Sequence, residues 1–313
     1  MTPRPIIVDS DPGVDDAVAL ALIAASPELE PLAVTTLAGN GPVEQSFRNA
    51  AGILGELGWT DVPVAVGAHR PLIRTAVGHT TMHGPNGIGG VQLPPLSDID
   101  LDRAPPAIDL LAEILSSASP GSVTIVELGP MTNLALFAAL HPELLDRIDK
   151  VVAMGGNLRV GNVTPEAEFN VWFDPEAAHR VMVESGLNVE ILTLGATYSS
   201  AIFEPQRGAL AACSAIGELL AEMISGYLEE IPDEGWVLHD ALVIAHLLAP
   251  EIVELRNGSV AVDTGTRLTR GRCTFAFNDA GTGSLQVGVA ADSAAFRELL
   301  IDRVGRLDGK SAR

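Results

Sequence analysis

Short runs of aliphatic and β-branched residues alternate along the chain with longer stretches of helical character. Six of these runs are predicted strands: PIIVD, LAVTTL, VPVAVG, VTIVEL, KVVAMG and VEILTL. Each is followed by a polar or glycine-rich turn and, in most cases, by a helical segment. Because parallel strands are buried on both faces and appear as continuous apolar runs, the pattern predicts an α/β fold. We expect an open, mostly parallel, Rossmann-like sheet with helices on both faces.

Longer segments with helical periodicity are predicted helices. Their ranges are 15–26, 43–57, 107–117, 131–140, 175–184, 205–230, 240–249 and 293–304. Three later runs, SVAVDT, CTFAFN and LQVGVA, lie between glycine-rich turns and predict a small antiparallel C-terminal appendix. The chain has no internal repeat and no low-complexity linker, so we expect a single domain over residues 1–313.

The charge balance excludes some classes of partner. Forty acidic residues and nineteen Lys and Arg give a formal net charge of -21, which repels phosphate backbones and anionic lipid surfaces. Neither nucleic acid nor a membrane is therefore an expected partner. The first predicted strand begins too early to leave room for a secretion signal, and Cys213 and Cys273 have no metal-type or disulfide-type spacing. Both features favour a cytoplasmic protein.

The stretch IIVDSDPGVDDAVAL places four carboxylates within eight residues at the end of the first predicted strand. They are Asp9, Asp11, Asp15 and Asp16. Two such charges about 4 Å apart repel by roughly 4 kcal/mol at an effective dielectric constant near 20, whereas a helix N-terminus returns about 0.3–1 kcal/mol for each. Between Arg4 and Arg48 the sequence contains no Lys, Arg or His. Either some of these acids are protonated or a cation lies among them, and we favour the cation.

The ligands available for such a cation are oxygen atoms. They include the carboxylates, the amide of Asn40 after the second predicted strand, and backbone carbonyls near ELGPMTN. This set suits Ca²⁺ or Mg²⁺ and argues against zinc, which prefers His and Cys. In a simpler alternative Asp15 and Asp16 only cap the following helix, but that alternative leaves Asp9 and Asp11 unexplained.

Three further segments carry groups suited to binding a sugar and a base. MGGNLRVGNVTPEAEFNVWFDPEAA is rich in amides and carboxylates, which can bind vicinal hydroxyls, although each residue alone also suits a polar surface loop. In VLHDALVIAHLLA, His239 precedes the predicted helix and is the best candidate for a general acid near neutral pH, while Asp240 also suits a helix N-cap. HGPNG lies in a long predicted loop over residues 78–106, where His83 could line a closing pocket or simply belong to a turn.

In this order, the four segments resemble the nucleoside hydrolase family, the inosine-uridine-preferring type that cleaves the N-glycosidic bond of ribonucleosides. The most specific part is the DxDPGxDDAxA pattern, which here extends from Asp9 to Ala19. The resemblance covers nearly the whole chain. It implies hydrolysis of neutral ribonucleosides to ribose and free base in purine or pyrimidine salvage, one bound Ca²⁺, and a homodimer or homotetramer.

The resemblance also implies roles for individual residues. Ca²⁺ would be bound by the carboxylates of Asp11, Asp16 and Asp240, with Asp15 at or beside the metal, and by the backbone carbonyl of Leu128. Calcium and Asp11 would activate a water that attacks the anomeric carbon, and Asn40 would orient both Asp11 and the water. His239 would assist the departing base by protonation or hydrogen bonding.

The remaining implied residues bind substrate. Asn162, Glu168 and Asn170 would bind the ribose with Met154 beneath it, and the base would be surrounded by Phe169, Tyr227, His83 and His239. Two segments depart from the usual family pattern. After VEILTL, where the family commonly has an acidic residue before a Val-Thr pair, this chain has Gly195, Ala196 and Thr197, and residues 271–284 differ from the usual apolar pair of strands. The preference for purine or pyrimidine bases, and for ribose or deoxyribose, stays open.

Two other functions remain as alternatives. One is a calcium-dependent ribose or nucleoside binding protein without turnover, although simple binding does not require His239 beside a metal ligand. The other is a phosphatase of the haloacid dehalogenase type, in which Asp9 and Asp11 would act with Mg²⁺. Such an enzyme needs a downstream lysine for the phosphate, and the chain has only Lys150 and Lys310.

Overall fold

The computed structural model describes residues 2–75, 82–94, 101–228, 235–278 and 285–307. Its strands are β1 (Arg4–Ser10), β2 (Leu29–Thr36), β3 (Val64–Val66), β4 (Val123–Glu127), β5 (Ile148–Met154), β6 (Val189–Leu192), β7 (Ala201–Ile202), β8 (Trp236–Val237), β9 (Val253–Val262), β10 (Cys273–Phe277) and β11 (Leu285–Ala291). Nine of these strands form one sheet in the order β10-β9-β11-β6-β5-β4-β1-β2-β3, and β7 pairs with β8 in a small antiparallel sheet.

The main sheet is mostly parallel, as predicted. All pairs from β3 across to β11 are parallel, whereas β9 is antiparallel to both β11 and β10. The predicted antiparallel C-terminal strands are therefore present, and they form one edge of the main sheet because β11 pairs with β6. Of the departing segment 271–284, residues 279–284 lie outside the described residues.

Helices cover both faces of the sheet. They are α1 (Val14–Ala24), α2 (Val43–Glu56), α3 (Ala107–Ser117), α4 (Thr132–Leu140), α5 (Phe169–Phe173), α6 (Pro175–His179), α7 (Leu194–Thr197), α8 (Glu204–Cys213), α9 (Ala215–Leu228), α10 (His239–Leu248) and α11 (Ser293–Val304). A π-helical turn over Arg180–Glu184 continues α6, and 3-10 turns lie at Leu101–Arg103, Pro142–Arg147, Tyr198–Ser200 and Pro250–Ile252. Among the described residues no helix is long and apolar enough to cross a membrane.

Alternate residues of β1 enter two different cores, which explains the unbroken apolar run Ile6, Ile7 and Val8. Ile6 and Val8 pack with α1, α9, α10 and α11, whereas Ile7 packs on the opposite face with α3 and α4. Because side chains of a strand alternate between faces, a strand buried on both sides is apolar at successive positions where it crosses the core. The fold class predicted from the sequence is thus confirmed.

The predicted helix over residues 205–230 is wrong in its continuity. The chain is extended at Ser214, with φ -166° and ψ 169°, and this residue separates α8 from α9. The Ser214 hydroxyl accepts a hydrogen bond from the Gly217 N–H at 3.0 Å and donates to the Val304 carbonyl at 2.9 Å. Ser214 therefore begins α9 as an N-cap and fixes the helix against the end of α11. The predicted end of this helix lies outside the described residues.

Two short helices, α5 and α7, were not predicted. The predicted loop over residues 78–106 contains a 3-10 turn at Leu101–Arg103, and its residues 78–81 and 95–100 lie outside the described residues.

The strand order places the polar segments at one edge of the sheet. From the central β1 the chain adds β2 and β3 on one side and, later, β4, β5 and β6 on the other. The order therefore reverses between β1 and β4, and in such sheets ligands bind beyond the carboxyl ends of the strands at this point. Asp11 follows β1, Leu128 follows β4, and Met154 ends β5.

Candidate active site

A cleft of about 610 Å³ lies beyond the carboxyl ends of these central strands. It is lined by Asp15, Asn40, Met82, His83, Leu128, Met154, Asn162, Val163, Glu168, Phe169, Asn170, Tyr227, His239 and Asp240. All site residues proposed from the sequence are in this set except Asp11 and Asp16, which lie beneath it. Met82 and Val163 line the cleft without having been proposed, since an isolated apolar residue in a loop carries no signal of its own.

Three carboxylates meet at the floor of the cleft. Asp15, Asp16 and Asp240 are buried, and one oxygen from each lies within 4.8 Å of the others. They come together because Asp15 and Asp16 are in the first turn of α1, Asp240 is in the first turn of α10, and these two helices pack against each other. Among the described residues that line this cleft, the only side chains that could carry a positive charge are those of His83 and His239.

The donors present fit a hard divalent cation. Burial raises the pKa of Asp15 to about 6, and burial followed by the charge of Asp15 raises the pKa of Asp240 well above its usual range. Asp15 Oδ1 is buried without a hydrogen-bond partner among the described residues. A buried acceptor and neighbouring like charges are both costly unless a cation or proton neutralises them, and the donor atoms here are oxygens.

Asp11 lies beside this group in a tight cradle. The Asn40 backbone N–H donates to Asp11 Oδ2 at 2.6 Å, and the Asn40 side-chain amide donates to the Asp11 carbonyl at 3.3 Å. A Cβ atom at Gly39 or Gly129 would overlap the Asp11 carboxylate, so both positions need glycine. Burial, then the charge of Asp16, raises the pKa of Asp11 well above its usual range. The carboxylate is thus held in one orientation.

Asp9 has a different environment from the other three acids of the motif. It lies in register with Glu127 on β4, and Asp9 Oδ1 accepts hydrogen bonds from the Thr35 hydroxyl and, at 2.7 Å, from Asn133 Nδ2. Burial raises the pKa of Asp9 to about 6 and, together with the charge of Asp9, raises that of Glu127 well above its usual range. The raised pKa values favour a proton shared between Asp9 and Glu127. Protonation therefore accounts for the buried charge at Asp9, whereas the other three acids fit a cation.

The amide-rich segment predicted to bind a sugar is organised around Glu168. Its carboxylate caps α5: Oε1 accepts from the Asn170 N–H at 2.7 Å, and Oε2 accepts from Gly156 at 2.9 Å and Val171 at 3.1 Å. Burial raises the pKa of Glu168 to about 7. The Asn170 side chain donates to the Leu128 carbonyl at 2.8 Å. A carbonyl oxygen has two lone pairs, so this bond leaves one for a further partner.

Asn162 is exposed at the rim, where its Oδ1 accepts from the Phe169 N–H at 2.9 Å. Met154 ends β5 and lines the floor between this segment and the carboxylates. The structure thus brings the predicted ribose-binding residues to one cleft.

His83 is fixed against the start of α1. Its Nδ1 accepts a hydrogen bond from the Val14 N–H at 3.2 Å, and a Cβ atom at Gly13 would lie only 2.8 Å from this nitrogen. The ring stacks on Tyr227 with centroids 5.0 Å apart and an interplanar angle of 13°. Burial lowers the pKa of His83 to about 4, so the neutral ring carries its proton on Nε2 at pH 7.

His239 is held by residues that directly follow Gly195 and Ala196, the positions at which this chain departs from the family pattern. Its Nδ1 lies 2.7 Å from Thr197 Oγ1 on α7, and the Tyr198 ring meets the imidazole edge-on at 5.6 Å. Burial lowers the pKa of His239 to about 3. A protonated His239 near neutral pH stays only a prediction, because these surroundings favour a neutral imidazole that donates a hydrogen bond.

The sequence matches the family model described as inosine-uridine preferring nucleoside hydrolase over residues 6–298. It is 40% identical over 309 residues to the pyrimidine-specific ribonucleoside hydrolase RihA of Salmonella gallinarum, which covers 96% of this chain and 98% of the relative. It is 35% identical over 313 residues to an uncharacterized protein of Schizosaccharomyces pombe, with coverages of 96% and 99%. The fold is similar to that of a purine-preferring ribonucleoside hydrolase from Gardnerella vaginalis, with a TM-score of 0.88, 30% identity and coverages of 97% and 99%.

Proposed function

The chain belongs to the inosine-uridine-preferring nucleoside hydrolase family, whose members hydrolyse the N-glycosidic bond of ribonucleosides, and on that premise we propose how its cleft performs this reaction. The observation that carries the proposal is the group of buried carboxylates that shares one cleft with two histidines, His83 and His239. We propose Ca²⁺ as the cation, bound by Asp11, Asp16 and Asp240 with Asp15 at or beside it, together with the Leu128 carbonyl; the meeting of Asp15, Asp16 and Asp240 supports this assignment. The predicted homodimer or homotetramer, single domain and cytoplasmic location stay predictions.

Calcium is favoured by the number and kind of donors. Carboxylates and a carbonyl are hard ligands, and Ca²⁺ accepts six to eight oxygens in flexible geometry, which leaves places for water and sugar hydroxyls. When bound, such an ion offsets the charge of the acids and makes water more acidic. Its positive charge would also restore Asp11 to the ionised form, which the metal-free surroundings disfavour.

We propose that Asp11 is the general base, which takes a proton from the attacking water. The oxygen of a water molecule bonds to C1′ while its proton passes to the Asp11 carboxylate, which later releases it to solvent. The C1′–N bond breaks with its electron pair going to the base, and positive charge builds on the ribose as in other glycoside hydrolysis. The nearby carboxylates stabilise this charge, and Asn40 holds Asp11 in line through the 2.6 Å hydrogen bond.

The other lining residues are proposed to position the substrate. Glu168, Asn170 and Asn162 would bind the ribose over Met154, and Phe169, Tyr227 and His83 would surround the base. His239 would donate a hydrogen bond from Nε2 to the departing base, which then takes a proton from solvent. No Lys or Arg lines this cleft among the described residues, which favours neutral nucleosides over nucleotides.

The burial of Asp9 disfavours the phosphatase alternative. In that mechanism Asp9 would attack a phosphorus atom, yet it lies in the sheet beside Glu127, accepts bonds from Thr35 and Asn133, and does not line the cleft. The alternative of a non-catalytic binding protein is distinguished from an enzyme by experiment, since such a protein would bind nucleosides tightly without releasing sugar.

The proposed function is tested by reducing-sugar release from a panel of ribonucleosides and deoxyribonucleosides, with and without prior chelation of metal. Because relatives are named pyrimidine-specific, uridine and cytidine come first, followed by inosine and adenosine. We expect turnover of ribonucleosides that is lost on chelation and restored by Ca²⁺. Phosphate release from aryl phosphates without sugar release would instead favour the phosphatase.

His239→Ala is expected to lower kcat for natural nucleosides by about 10²- to 10³-fold, the range for loss of a hydrogen-bond donor to charge that develops in the transition state. The loss on p-nitrophenyl riboside should be much smaller, because that leaving group departs without a proton or a hydrogen bond. His141→Ala, which does not line the cleft, is the control. Equal losses on both substrates would exclude a role in leaving-group departure.

A further inference from the structure

We infer that Thr197 is a positioning residue whose hydroxyl donates to Nδ1 of His239, so that the imidazole presents an N–H, rather than a lone pair, to the base. The inference rests on the proposed function and extends it to a residue that lies outside the cleft lining. Thr197 directly follows Gly195 and Ala196, the two positions at which this segment departs from the family pattern, and its side chain is fully buried.

The helix that carries Thr197 is firmly anchored. Thr193 caps α7 by accepting from the Gly195 N–H at 3.2 Å, and its hydroxyl donates to the Gly288 carbonyl of β11 at 2.8 Å. The Thr197 backbone N–H bonds to the Thr193 carbonyl at 2.9 Å, and the Thr197 carbonyl accepts from Ser200 at 2.7 Å. Both backbone groups are thus occupied, and the hydroxyl is held 2.7 Å from His239 Nδ1.

The direction of this hydrogen bond follows from where the hydroxyl proton can go. In the described part of the chain, Nδ1 of His239 is the one acceptor that the structure places within bonding distance of Thr197 Oγ1. If the hydroxyl instead accepted a hydrogen bond from Nδ1–H, its own proton would be buried without a partner, which costs about 1–3 kcal/mol. The hydroxyl therefore donates, and the proton of the ring lies on Nε2.

This tautomer is the one that the reaction needs. Because Nδ1 is hydrogen-bonded to Thr197 and the ring lines the cleft, Nε2 is the nitrogen that can contact the nucleobase of the substrate. An Nε2–H donates to the nitrogen or oxygen that gains charge as the glycosidic bond breaks, whereas a bare Nε2 would repel it. The edge-on contact with Tyr198 further restricts rotation of the ring.

The test compares Thr197→Val, which keeps the shape but removes the hydroxyl, with Thr197→Ser, which keeps the hydroxyl. On the best natural nucleoside we expect Thr197→Val to lower kcat by about 10- to 100-fold with little change in KM, as for loss of a group that orients a functional histidine. Thr197→Ser should recover most of this loss. On p-nitrophenyl riboside both variants should stay within about threefold of the parent enzyme, and in a His239→Ala background Thr197→Val should add no further loss.

Equal losses in the Val and Ser variants, equal losses on both substrates, or additivity with His239→Ala would overturn the inference. The ¹⁵N chemical shifts of His239, assigned with His239→Gln, give a readout that does not need turnover. The parent protein should show the Nε2–H tautomer and Thr197→Val a mixture, and an Nδ1–H tautomer in the parent would also overturn the inference. If no nucleoside is hydrolysed by the parent protein, the proposed function fails while the tautomer measurement still decides the role of Thr197.

Discussion

Asp11→Asn is expected to reduce kcat on ribonucleosides by about 10²- to 10⁴-fold while the protein stays folded. The amide has nearly the same shape and can still accept the hydrogen bond from the Asn40 N–H, but it cannot take a proton from water. The free energy of unfolding should not fall, because the variant removes a buried acid whose pKa burial and Asp16 have raised.

Measurements of turnover, ribose binding and thermal unfolding together distinguish loss of the general base from misfolding of the variant. Ribose affinity measured by calorimetry should change much less than kcat, since the other carboxylates and the sugar-binding residues remain. Asp292→Asn is the matched control, because it makes the same change at an exposed N-cap of α11, outside the cleft. Near-normal kcat in Asp11→Asn would show that another group accepts the proton.

The architecture was predictable because parallel sheets make local patterns informative, whereas most individual residues of the cleft were predicted from the resemblance to nucleoside hydrolases. Each apolar run ends in polar residues, and all parallel strands end at the same edge, so Asp11, Asn40, Leu128 and Met154 had to lie near one another. The helix-starting residues Asp15 and Asp240 reach the same place because α1 and α10 pack together.

What the sequence did not predict depends on contacts between distant residues. The raised pKa of Glu127 depends on the strand register that places it beside Asp9, more than a hundred residues away in the sequence. The Thr197 contact with His239 likewise joins positions 42 apart, and nothing local to Thr197 indicates it. The break at Ser214 was missed because residues on both sides favour helix, whereas the bond from Ser214 to Val304 is tertiary.

The neutrality of the histidines was also beyond sequence reasoning. A histidine near a metal ligand is expected to titrate close to neutral pH, yet burial lowers the pKa of His83 to about 4 and of His239 to about 3. Burial is a property of the packed cleft, and it changes the expected role of His239 from a protonated acid to a hydrogen-bond donor.

Removal of divalent cations is expected to abolish hydrolysis and to make the protein less stable as the pH rises. Burial raises the pKa of Asp15 to about 6, and those of Asp11 and Asp240 are raised well above the usual value of 3.8. Between 3.8 and these raised values the three carboxylates bind more protons in the metal-free folded protein than in the unfolded chain. Their contribution to the free energy of unfolding therefore falls with increasing pH through this window and is largest below it, whereas the lowered pKa values of His83 and His239 act in the opposite direction with or without a metal.

Calcium should reverse this trend, because a bound cation favours the ionised acids. At a Ca²⁺ concentration of about 100 Kd the stabilisation is about 2.7 kcal/mol, which corresponds to a rise in Tm of roughly 4 °C for a chain of this size. Thermal unfolding from about pH 5 to 8, with EGTA or with excess Ca²⁺, measures the difference. The Asp9–Glu127 pair titrates in both samples and largely cancels, whereas Asp240→Asn should weaken the response to Ca²⁺. An unchanged Tm on addition of Ca²⁺ at every pH, together with hydrolysis that persists in EGTA, would show that these carboxylates bind protons rather than a metal. The proposed activation of Asp11 by a metal would then be wrong.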